Sequence, residues 1–578
     1  MARRLRLIDL KATNSVTYEG AAAYSYTSEQ PLIHLTFTFG SALFTDGFYE
    51  REQQQVKRFA EALLAAWRVE PAFAWKYGAW MRDAKLGKGN RIQGSLVPAI
   101  LDALTDETEL NEVYVERCLS HRPDDVCAFV EHYSTLRMGS MSASARRGVA
   151  RALASFDEYQ LMKYAGSKRD VRLCDAIMIV RAELEELGEA GQLALDVGRY
   201  LHAPSRQRGE LVERLPMTRA RRSLWRQPKG FAMDPEFRGL VREARVTWEQ
   251  VLGHFGSNAE GAPRTVKARN KAIWTALLKT KGLLGDMAFM RNVRNMDRAG
   301  IRARALIDEA RSRRFSEIWP HQVYAAYRAV PKRRDVFDEV FKRSAEKLPS
   351  GRHLGIADAS ASMTWVKVGG AFSSITPQDA AFCLTGLMSE TSDLGASFSS
   401  GGKCLYMAER KRRESPLAFS QRPELRQGMG GTQVFGAIME LIAYLRENDR
   451  VTPPDCLWFF SDMQFHPAAK LDGLRGVPKA LRAEIERMNV DLSRPPLEIA
   501  VEIYRALISH VDVVLWNLAA YEPAPVPSKM KGVLLVSGFD TNTFAQVEAW
   551  RTGANTSVTR ETSVADGNQV VLDTIRSF

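Results

Sequence analysis

The stretch His353-Leu-Gly-Ile-Ala-Asp-Ala-Ser-Ala-Ser362 decides the fold class of the C-terminal third of this chain. Its first five residues form a short, mostly apolar run of the kind found in buried strands. One Asp and two Ser follow directly, at positions 358, 360 and 362. Because ligands of open α/β sheets bind outside the carboxyl ends of the strands, this stretch predicts a strand that leads into a polar binding loop.

Three further runs of buried type follow this strand, at 456–460, 511–516 and 532–536. Helical stretches such as 432–447 and 497–509 lie between them. Alternating strands and helices predict a doubly wound, mostly parallel sheet. The stretches 389–428 and 466–495 are expected to be irregular excursions from that sheet.

Two more oxygen-bearing residues occupy matching loop positions. Thr432 ends a Gly-Met-Gly-Gly-Thr loop, and Asp462 ends the run Leu-Trp-Phe-Phe-Ser-Asp. Ligation by oxygen alone suits a hard divalent cation, so Mg²⁺ is expected, with Mn²⁺ or Ca²⁺ as alternatives. The predicted ligands are Asp358, Ser360, Ser362, Thr432 and Asp462.

These five residues resemble the metal-ion-dependent adhesion site of von Willebrand factor A domains. The resemblance implies direct metal binding by the serines, a shell completed by the other three residues, and one open position for an acidic ligand. A hydrolytic metal site usually adds a general base or a second metal. No His stands among the five, and His466 is expected to be a surface or packing residue. The site is therefore predicted to bind and not to catalyse.

Upstream of this domain, residues 50 to about 345 carry a helical pattern. One apolar stripe of a predicted helix at 51–68 contains Val56, Phe59, Leu63, Leu64 and Trp67. Similar segments follow at 71 onward, 96–104, 142–154, 159–165, 174–187, 237–253, 265–280 and 285–298. Helices in series predict an irregular α-solenoid. A β-like opening is expected at 32–39.

The net charge of +12 is concentrated in the helical region. Residues 264–314 contain fourteen Lys and Arg against four Asp and Glu, an excess of ten. Residues 141–229 contain seventeen against eleven, an excess of six. A basic excess confined to one part of a chain favours a polyanionic partner, with nucleic acid the first choice.

Cysteine usage and hydropathy predict a cytoplasmic protein. The six cysteines are scattered without a Cys-x-x-Cys pair, which indicates free thiols in a reducing compartment. No apolar run approaches the roughly 18 residues of a membrane span. The basic N-terminus meets a charged Asp-Leu-Lys before a signal-peptide core can form.

Several motifs of the helical region are similar to those of the TROVE module, named for telomerase, Ro and vault proteins. They are Phe37-Thr-Phe-Gly40, Tyr49-Glu-Arg-Glu52, Ala154-Ser-Phe-Asp-x-Tyr-Gln-Leu-x-Lys-Tyr-x-Gly166, Val246–Gly256, Met290-Arg-Asn-Val-Arg-Asn-Met296 and Ile318-Trp-Pro-His321. Asp358-Ala-Ser-Ala-Ser-Met363 and Gly538-Phe-Asp-Thr541 extend the similarity over nearly the whole chain. The order of helical module and A domain resembles the Ro ribonucleoprotein autoantigen family, in a bacterial or phage-type relative.

The resemblance implies a fold of class α plus α/β. A ring-shaped α-solenoid of HEAT-like helical repeats at 1–348, closed by the chain ends, would bind RNA. A doubly wound von Willebrand factor A-like domain would follow at 349–578. Relatives bind small structured Y RNAs on an outer basic surface and take single-stranded 3′ ends of misfolded noncoding RNA through a central hole.

The matching outer segment here is 142–181, called the 142–181 segment below. Its candidate RNA-binding residues are Arg146, Arg147, Arg151, Lys163, Lys168, Arg169, Arg172 and Arg181. Relatives carry a His where this chain has Val171-Arg-Leu-Cys-Asp175, so the contact of that His is absent here and Arg172 is expected to compensate. Arg291, Arg294 and Arg298, at i, i+3 and i+7 of one predicted helix, are the candidates for the ring interior. A solvated charged face is the alternative for this row.

The leading hypothesis is a monomeric, non-catalytic RNA-binding scaffold that handles noncoding RNA in quality control or a stress response. By resemblance, an exoribonuclease is an expected partner, and no membrane is involved. The alternative is a metal-dependent protein-adhesion scaffold, whose A domain holds an acidic residue of a partner. A metal-dependent hydrolase or nuclease is the third hypothesis.

Overall fold

The structure is a computed structural model that describes residues 15–27, 30–42, 44, 49, 51–136, 141–166, 170–256, 264–280, 282–368, 375–400, 403–428, 430–468, 477–540, 542–553 and 567–578. Its contacts divide the chain into two compact units. The α/β unit comprises Met1–Glu70, Trp319–Ala325 and Phe341–Ser577. The helical unit comprises Pro71–Ile318, Ala326–Val340 and Phe578.

The described chain begins with β1 (Ser15–Val16), β2 (Ala22–Ala23), α1 (Pro31–Phe39) and α2 (Glu52–Val69). The expected β-like opening at 32–39 is wrong, because these residues form α1. Every residue after Pro31 in α1 is buried, so the alternation of Thr and Phe does not separate a solvent-exposed face from a buried face. The Thr36 hydroxyl donates to the Leu32 carbonyl oxygen at 3.1 Å, a bond that lets a threonine lie inside a buried helix.

Helices continue through the helical unit, as the periodicity predicts. They are α3 (Pro71–Arg82), α4 (Arg91–Leu104), α5 (Glu109–Leu119), α6 (Pro123–Leu136), α7 (Ala143–Ala154), α8 (Glu158–Tyr164), α9 (Leu173–Ile179), α10 (Arg181–Glu186), α11 (Glu189–His202), α12 (Arg208–Leu211), α13 (Pro216–Trp225), α14 (Phe237–Ala244), α15 (Trp248–Phe255), α16 (Arg264–Lys279), α17 (Asp286–Arg298) and α18 (Ala303–Ser312). The next two helices, α19 (Pro320–Ala329) and α20 (Arg334–Ala345), are assigned only in part to this unit. The single helix expected at 237–253 is two, since Arg245 adopts φ +43° and Thr247 caps α15. The one expected at 174–187 is likewise divided into α9 and α10.

Successive helices of this unit pack against one another. α3 packs on α4, α4 on α6, and α5 on α7. A buried ion pair joins α3 to α6, with Arg82 Nη2 at 2.6 Å from Asp125 Oδ2. Helix-on-helix packing of near neighbours is the arrangement expected of a helical-repeat protein.

The C-terminal part of the α/β unit alternates strands and helices. Its elements are β3 (His353–Asp358), α21 (Pro377–Ser392), β4 (Leu394–Phe398), β5 (Leu405–Glu409), α22 (Pro416–Phe419), α23 (Val434–Glu447), β6 (Cys456–Ser461), α24 (Lys479–Arg487), α25 (Pro496–Leu507), β7 (Asp512–Asn517), β8 (Val533–Ser537), α26 (Asn542–Thr552) and α27 (Gly567–Arg576). The six strands form one sheet in the order β5-β4-β3-β6-β7-β8, and only β5 runs antiparallel to its neighbour. The four predicted strands and the mostly parallel sheet are confirmed.

The irregular excursion expected at 389–428 is wrong, because this stretch contains β4 and β5. β4 has the sequence Leu-Gly-Ala-Ser-Phe, which lacks the β-branched residues that signal a strand. Its small residues suit close packing instead: a Cβ on Gly395 would lie 2.6 Å from the Phe419 ring. Part of the second expected excursion, at 466–495, is the helix α24.

The sheet places two polar loops side by side. β3 lies between β4 and β6, so the chain leaves β3 toward one side of the sheet and later returns on the other. Ala357 at the end of β3 is in register with Phe460 in β6. Asp358 is the last residue of β3 and Asp462 follows the neighbouring strand β6, so both lie at the switch point of the sheet, where α/β proteins bind their ligands.

The first described residues pack on the C-terminal part of the same unit. Tyr24 pairs with Ala524 in an antiparallel bridge, and the Tyr24 hydroxyl donates to Glu498 Oε2 at 2.9 Å. His34 Nε2 lies 2.9 Å from Glu522 Oε1. The expected domains were 1–348 and 349–578. The division into compact units differs from this, because the contacts of the N-terminal residues place Met1–Glu70 in the unit that contains the sheet.

All six cysteines are free and buried, in agreement with the thiols expected from their spacing. Within the described ranges, no helix combines the length and the apolarity that crossing a membrane requires.

Candidate functional site

The first part of the candidate metal site lies where β3 ends. Asp358 Oδ1 accepts a hydrogen bond from the Ser360 amide at 2.8 Å, which turns the chain over the end of the strand. The hydroxyl oxygens of Ser360 and Ser362 lie 3.1 Å apart. All three side chains are buried. One carboxylate and two hydroxyls are thereby gathered in a single short loop.

Asp462 follows β6, the strand beside β3. The hydroxyl of its neighbour Ser461 donates to Asp358 Oδ2 at 2.5 Å, which ties the two strand ends together. Asp462 Oδ1 accepts from the Gln464 amide at 3.1 Å, whereas Asp462 Oδ2 is buried without a hydrogen-bond partner among the described atoms. A carboxylate oxygen in this state is costly, and a bound cation would offset that cost.

Thr432 stands in the loop before α23 and faces the same loop of β6. Its hydroxyl donates to the Gln464 carbonyl oxygen at 2.6 Å. Because a hydroxyl has one proton and two lone pairs, the Thr432 oxygen can still accept a cation. Its amide donates to His466 Nδ1 at 2.9 Å, and the His466 amide donates back to the Thr432 carbonyl oxygen at 3.0 Å.

Two glycines allow this close approach. A Cβ on Gly430 would lie 2.4 Å from the Ser400 carbonyl oxygen, and one on Gly431 would lie 2.1 Å from His466 Cε1. The Gly431 amide also donates to the Ser400 hydroxyl at 2.6 Å. A side chain at either of these two positions would therefore clash with its neighbours.

The electrostatics of the site call for positive charge. Burial raises the pKa of Asp358 above its ordinary value. Burial first, and then the charge of Asp358, raise the pKa of Asp462. Two buried carboxyl groups resist ionising together, and a divalent cation beside them would reverse this effect.

The residues present fit a hard divalent cation. The donors are oxygens only, one carboxylate oxygen has no other partner, and both carboxyl groups gain from a positive charge. Across the described ranges, no group of three or more His, Cys, Asp or Glu side chains could hold a metal. The candidate site therefore depends on its three hydroxyls as much as on its two carboxylates.

Two residues of this site have no signal in the sequence pattern. Gln464 is fully buried and bonds both Asp462 and Thr432 through its main chain. His466, expected to be a surface or packing residue, is partly buried, and its ring accepts from the Thr432 amide. Only proximity in the fold connects them to the five predicted residues.

Glu19, in the turn between β1 and β2, contacts the edge of the site. The Tyr49 hydroxyl donates to Glu19 Oε1 at 2.7 Å, and Glu19 Oε2 lies 3.0 Å from His466 Nε2. Because the Thr432 amide can only donate, His466 Nδ1 is the acceptor and Nε2 carries the proton. His466 Nε2–H therefore donates to Glu19.

The predicted RNA-binding arginines of the 142–181 segment are paired with acidic residues. Arg146 Nε lies 2.5 Å from Glu183 Oε1. Arg147 and Arg151 both contact Glu112, at 2.5 and 2.8 Å. Much of the positive charge that the sequence count assigns to this segment is therefore compensated locally.

The later arginines of the segment also form ion pairs with acidic residues. Arg172 Nη2 lies 2.8 Å from Asp175 Oδ1, and Arg181 Nε lies 2.7 Å from Glu185 Oε1. The position at which Arg172 was expected to replace a His of the relatives is thus occupied by a local ion pair. Both pairs are exposed, and pairs of this kind contribute only about 0–1 kcal/mol, so a phosphate can compete for these arginines.

Lys163 differs from these arginines. Its ammonium group lies 5.6 Å from the Tyr159 ring centroid and 5.4 Å from the Tyr164 centroid, within the range of a cation–π contact. Lys168 and Arg169 lie outside the described residues.

The row on α17 is exposed and less compensated. Arg291, Arg294 and Arg298 all face solvent, while Phe289, Met290, Val293 and Met296 are buried on the other side of the helix. Arg291 and Arg294 have no acidic partner within the described part of the chain. The positive charge of this row is therefore accessible to an anionic ligand.

A second row of the same type lies on α16, within the stretch 264–314 that has the basic excess. Arg264, Lys267 and Lys271 stand at i, i+3 and i+7 and are exposed. None of them has an acidic partner in the ranges that the structure describes. The spacing that identified the row on α17 also identifies this one.

Comparison with solved structures shows a similarity to a Ro protein. The chain matches a crystal structure of the Ro (RSR) protein of Deinococcus radiodurans with a TM-score of 0.50 and 16% identity, over 89% of this chain and 100% of that chain. No protein-family model and no curated protein matches. At this identity the similarity concerns the fold, and the predicted resemblance to Ro proteins is confirmed at that level.

Proposed function

We propose that this protein is a non-catalytic RNA-binding scaffold of the Ro type. The motifs of the helical region and the Ro-like fold support the proposal. The observation that carries it is the row on α17, where Arg291 and Arg294 are exposed without acidic partners among the described residues. Lys and Arg side chains that are free to contact phosphate groups increase the affinity for nucleic acid.

The finer proposal assigns different RNA parts to different surfaces. The row on α17 takes the single-stranded 3′ ends of misfolded noncoding RNA, and the row on α16 extends the basic surface. The 142–181 segment takes a small structured RNA of the Y or Y-like class, with its arginines exchanging carboxylates for phosphates. A central hole, an exoribonuclease partner, a monomeric state and a role in quality control or stress remain predictions from the family resemblance.

The α/β unit contributes a divalent cation site in this proposal. Asp358, Ser360, Ser362, Thr432 and Asp462 would hold the ion, with Mg²⁺ as the first choice. The unpartnered Asp462 Oδ2 supports this assignment. When bound, the cation supplies a positive centre that accepts an acidic group of a ligand, which makes the site an adhesion point.

The first test is whether RNA accompanies the protein. We expect the full chain, purified without nuclease, to show a 260/280 nm absorbance ratio raised by bound nucleic acid, and sequencing would then identify the RNA. A nucleic-acid-free protein that also binds no structured or 3′-tailed RNA at low salt would contradict the proposal and favour the protein-adhesion scaffold.

The second test concerns the row on α17. We expect Arg291→Glu/Arg294→Glu to weaken binding of a structured RNA with a single-stranded 3′ tail by at least about tenfold, because two phosphate contacts become repulsive. The matched control is Arg412→Glu/Arg413→Glu, an equal charge reversal at exposed arginines of the α/β unit. Equal losses in the two variants would indicate a general charge effect and not a binding row.

RNA cleavage that requires metal and is lost in Asp358→Ala would contradict the non-catalytic assignment.

A further inference from the structure

A short N-terminal strap, defined as residues 15–27, is bonded to the loop that follows β6. Three successive strap residues contact three successive loop residues: the Thr17 hydroxyl donates to the Phe465 carbonyl oxygen at 2.8 Å, the Tyr18 amide donates to Gln464 Oε1 at 2.9 Å, and Glu19 Oε2 lies 3.0 Å from His466 Nε2. These contacts join parts of the chain about 450 positions apart, 448 in the first case and 446 in the second.

The same loop residues hold the candidate metal ligands on their other side. The Gln464 amide donates to Asp462 Oδ1, and the Gln464 carbonyl oxygen accepts the Thr432 hydroxyl. His466 Nδ1 accepts the Thr432 amide. One layer of side chains therefore separates the strap from the ligand oxygens.

Tyr49 holds the other oxygen of the Glu19 carboxylate. Its hydroxyl donates to Glu19 Oε1 at 2.7 Å. The Tyr49 ring stacks on Tyr18, with centroids 4.6 Å apart and planes within 4°. Tyr521 closes this group, 5.1 Å from the Tyr49 centroid. The Glu19 carboxylate is thus held by Tyr49 on one oxygen and by His466 on the other, and His466 contacts the candidate ligand Thr432.

We propose that the strap positions the metal ligands, with Glu19 as the central positioning residue, so that cation binding and strap docking stabilise each other. Glu19 acts on Thr432 through His466, and Tyr49 fixes the Glu19 carboxylate in place. Residues that orient metal ligands in this way typically change affinity about 10–100-fold when they are lost. Coupling between two binding events is reciprocal, so the cation must favour the docked strap as much as the strap favours the cation.

This inference rests on the proposed divalent cation site, and the experiment separates the two. The probe is Mn²⁺ titrated by calorimetry into the full chain and its variants. Asp358→Ala tests the site: unchanged Mn²⁺ affinity in this variant would contradict the site itself. Glu19→Gln keeps the size of the side chain and removes its charge. We expect a dissociation constant about 10–100-fold higher than that of the unaltered chain.

Glu213→Gln is the matched control, because Glu213 is an exposed, ion-paired glutamate of the helical unit, 3.0 Å from Arg219. We expect it to leave Mn²⁺ affinity unchanged. If Asp358→Ala abolishes binding while Glu19→Gln leaves it unchanged, the cation site stands and the positioning role of the strap is overturned.

A double-mutant cycle tests the path through His466. His466→Asn retains an acceptor for the Thr432 amide and loses the donor to Glu19. If the path is as proposed, Glu19→Gln/His466→Asn weakens Mn²⁺ binding less than the product of the two single effects, because both changes break one connection. Fully multiplicative effects would overturn the relay.

Reciprocity provides a readout that does not depend on affinity. We expect Mg²⁺ to slow hydrogen exchange of strap amides such as Thr17 and Tyr18, which bond the Ala21 carbonyl oxygen and Gln464 Oε1. The slowing should be lost in Asp358→Ala and reduced in Glu19→Gln, while exchange in the helical unit stays unchanged. Strap exchange that does not respond to Mg²⁺ in a chain that binds the ion would overturn the coupling.

Discussion

The candidate metal site of the α/β unit and the basic row of α17 are both suited to ions, but they are built in opposite ways. The site is buried, and hydrogen bonds such as that from Ser461 to Asp358 hold its side chains in place. The three arginines of α17 are exposed, and two of them, Arg291 and Arg294, have no acidic partner among the described residues. A buried site therefore depends on each residue, whereas an exposed row acts through the number of its charges.

A second contrast lies within the helical unit. Both the 142–181 segment and α17 contain several arginines, yet the described arginines of the first are paired with Glu112, Glu183 and other acidic residues. Charge counted along the sequence overestimates the field of such a segment. The ion pairs with acidic residues therefore determine which arginines can bind a phosphate without first losing a partner.

The largest expected effect is the loss of a metal ligand. Asp358→Ala should reduce Mn²⁺ affinity by more than the roughly 100-fold upper range of outer residues, because it removes a charged ligand. Ser360→Ala, which removes one oxygen without changing the charge, should give a smaller loss. Calorimetric titration measures both.

The control for this prediction is Asp491→Ala. Asp491 is an exposed aspartate of the same unit whose carboxylate bonds Ser493. Its removal should leave Mn²⁺ affinity unchanged. Equal affinities in Asp358→Ala and Asp491→Ala would remove the contrast between the two regions.

The next effect concerns the salt dependence of RNA binding. Arg291→Gln/Arg294→Gln should lower the slope of log affinity against log salt by about 0.7 for each lost contact with a single strand. Binding isotherms for a 3′-tailed RNA between low and physiological salt give this slope. A slope equal to that of the unaltered chain would show that these arginines face solvent only.

A smaller effect is expected from pH. Burial raises the pKa of Asp358 and of Asp462, so in the metal-free protein the stability contributed by their protonated forms is present at low pH and is lost as pH rises through the raised values. A divalent cation replaces those protons. The stabilisation by Mg²⁺ should therefore be small at pH 5 and larger at pH 8, reaching about 2.7 kcal/mol at an ion concentration 100 times the dissociation constant.

Thermal unfolding with and without Mg²⁺ at several pH values measures this trend. The Asp358→Ala variant is the control, since it should show no rise in Mg²⁺ stabilisation with pH. A Mg²⁺ effect that decreases as pH rises would have the wrong sign and would contradict the assignment of the two carboxylates as ligands.

The smallest effect is expected from the paired arginines. Arg172→Gln/Arg181→Gln should change the salt slope less than the α17 variant does, because these arginines are held by Asp175 and Glu185. Folding stability should change by no more than about 1 kcal/mol, since exposed ion pairs contribute little. A slope change equal to that of α17 would mean that RNA displaces the carboxylates completely.

The strands β3, β6, β7 and β8 were predictable because each is a short, continuous apolar run, the pattern of strands buried on both faces. β4 and β5 were not, because their small and polar residues signal no strand and gain their place from neighbours in the sheet. α1 was mistaken for a strand because alternating Thr and Phe imitate a period of two. A period of two indicates a strand only when one face is buried and the other exposed, and α1 is buried on all sides.

The sequence by itself determined the succession of helices followed by an α/β sheet, because periodicity and strand-end motifs are local. It also determined the candidate ligands Asp358, Ser360 and Ser362, whose spacing places them in one loop. Tertiary structure alone decided the contact of Glu19 with His466, the pairing of the 142–181 arginines, and the exposure of those on α17. These depend on which distant side chains meet, and the pattern along the chain carries no information about that.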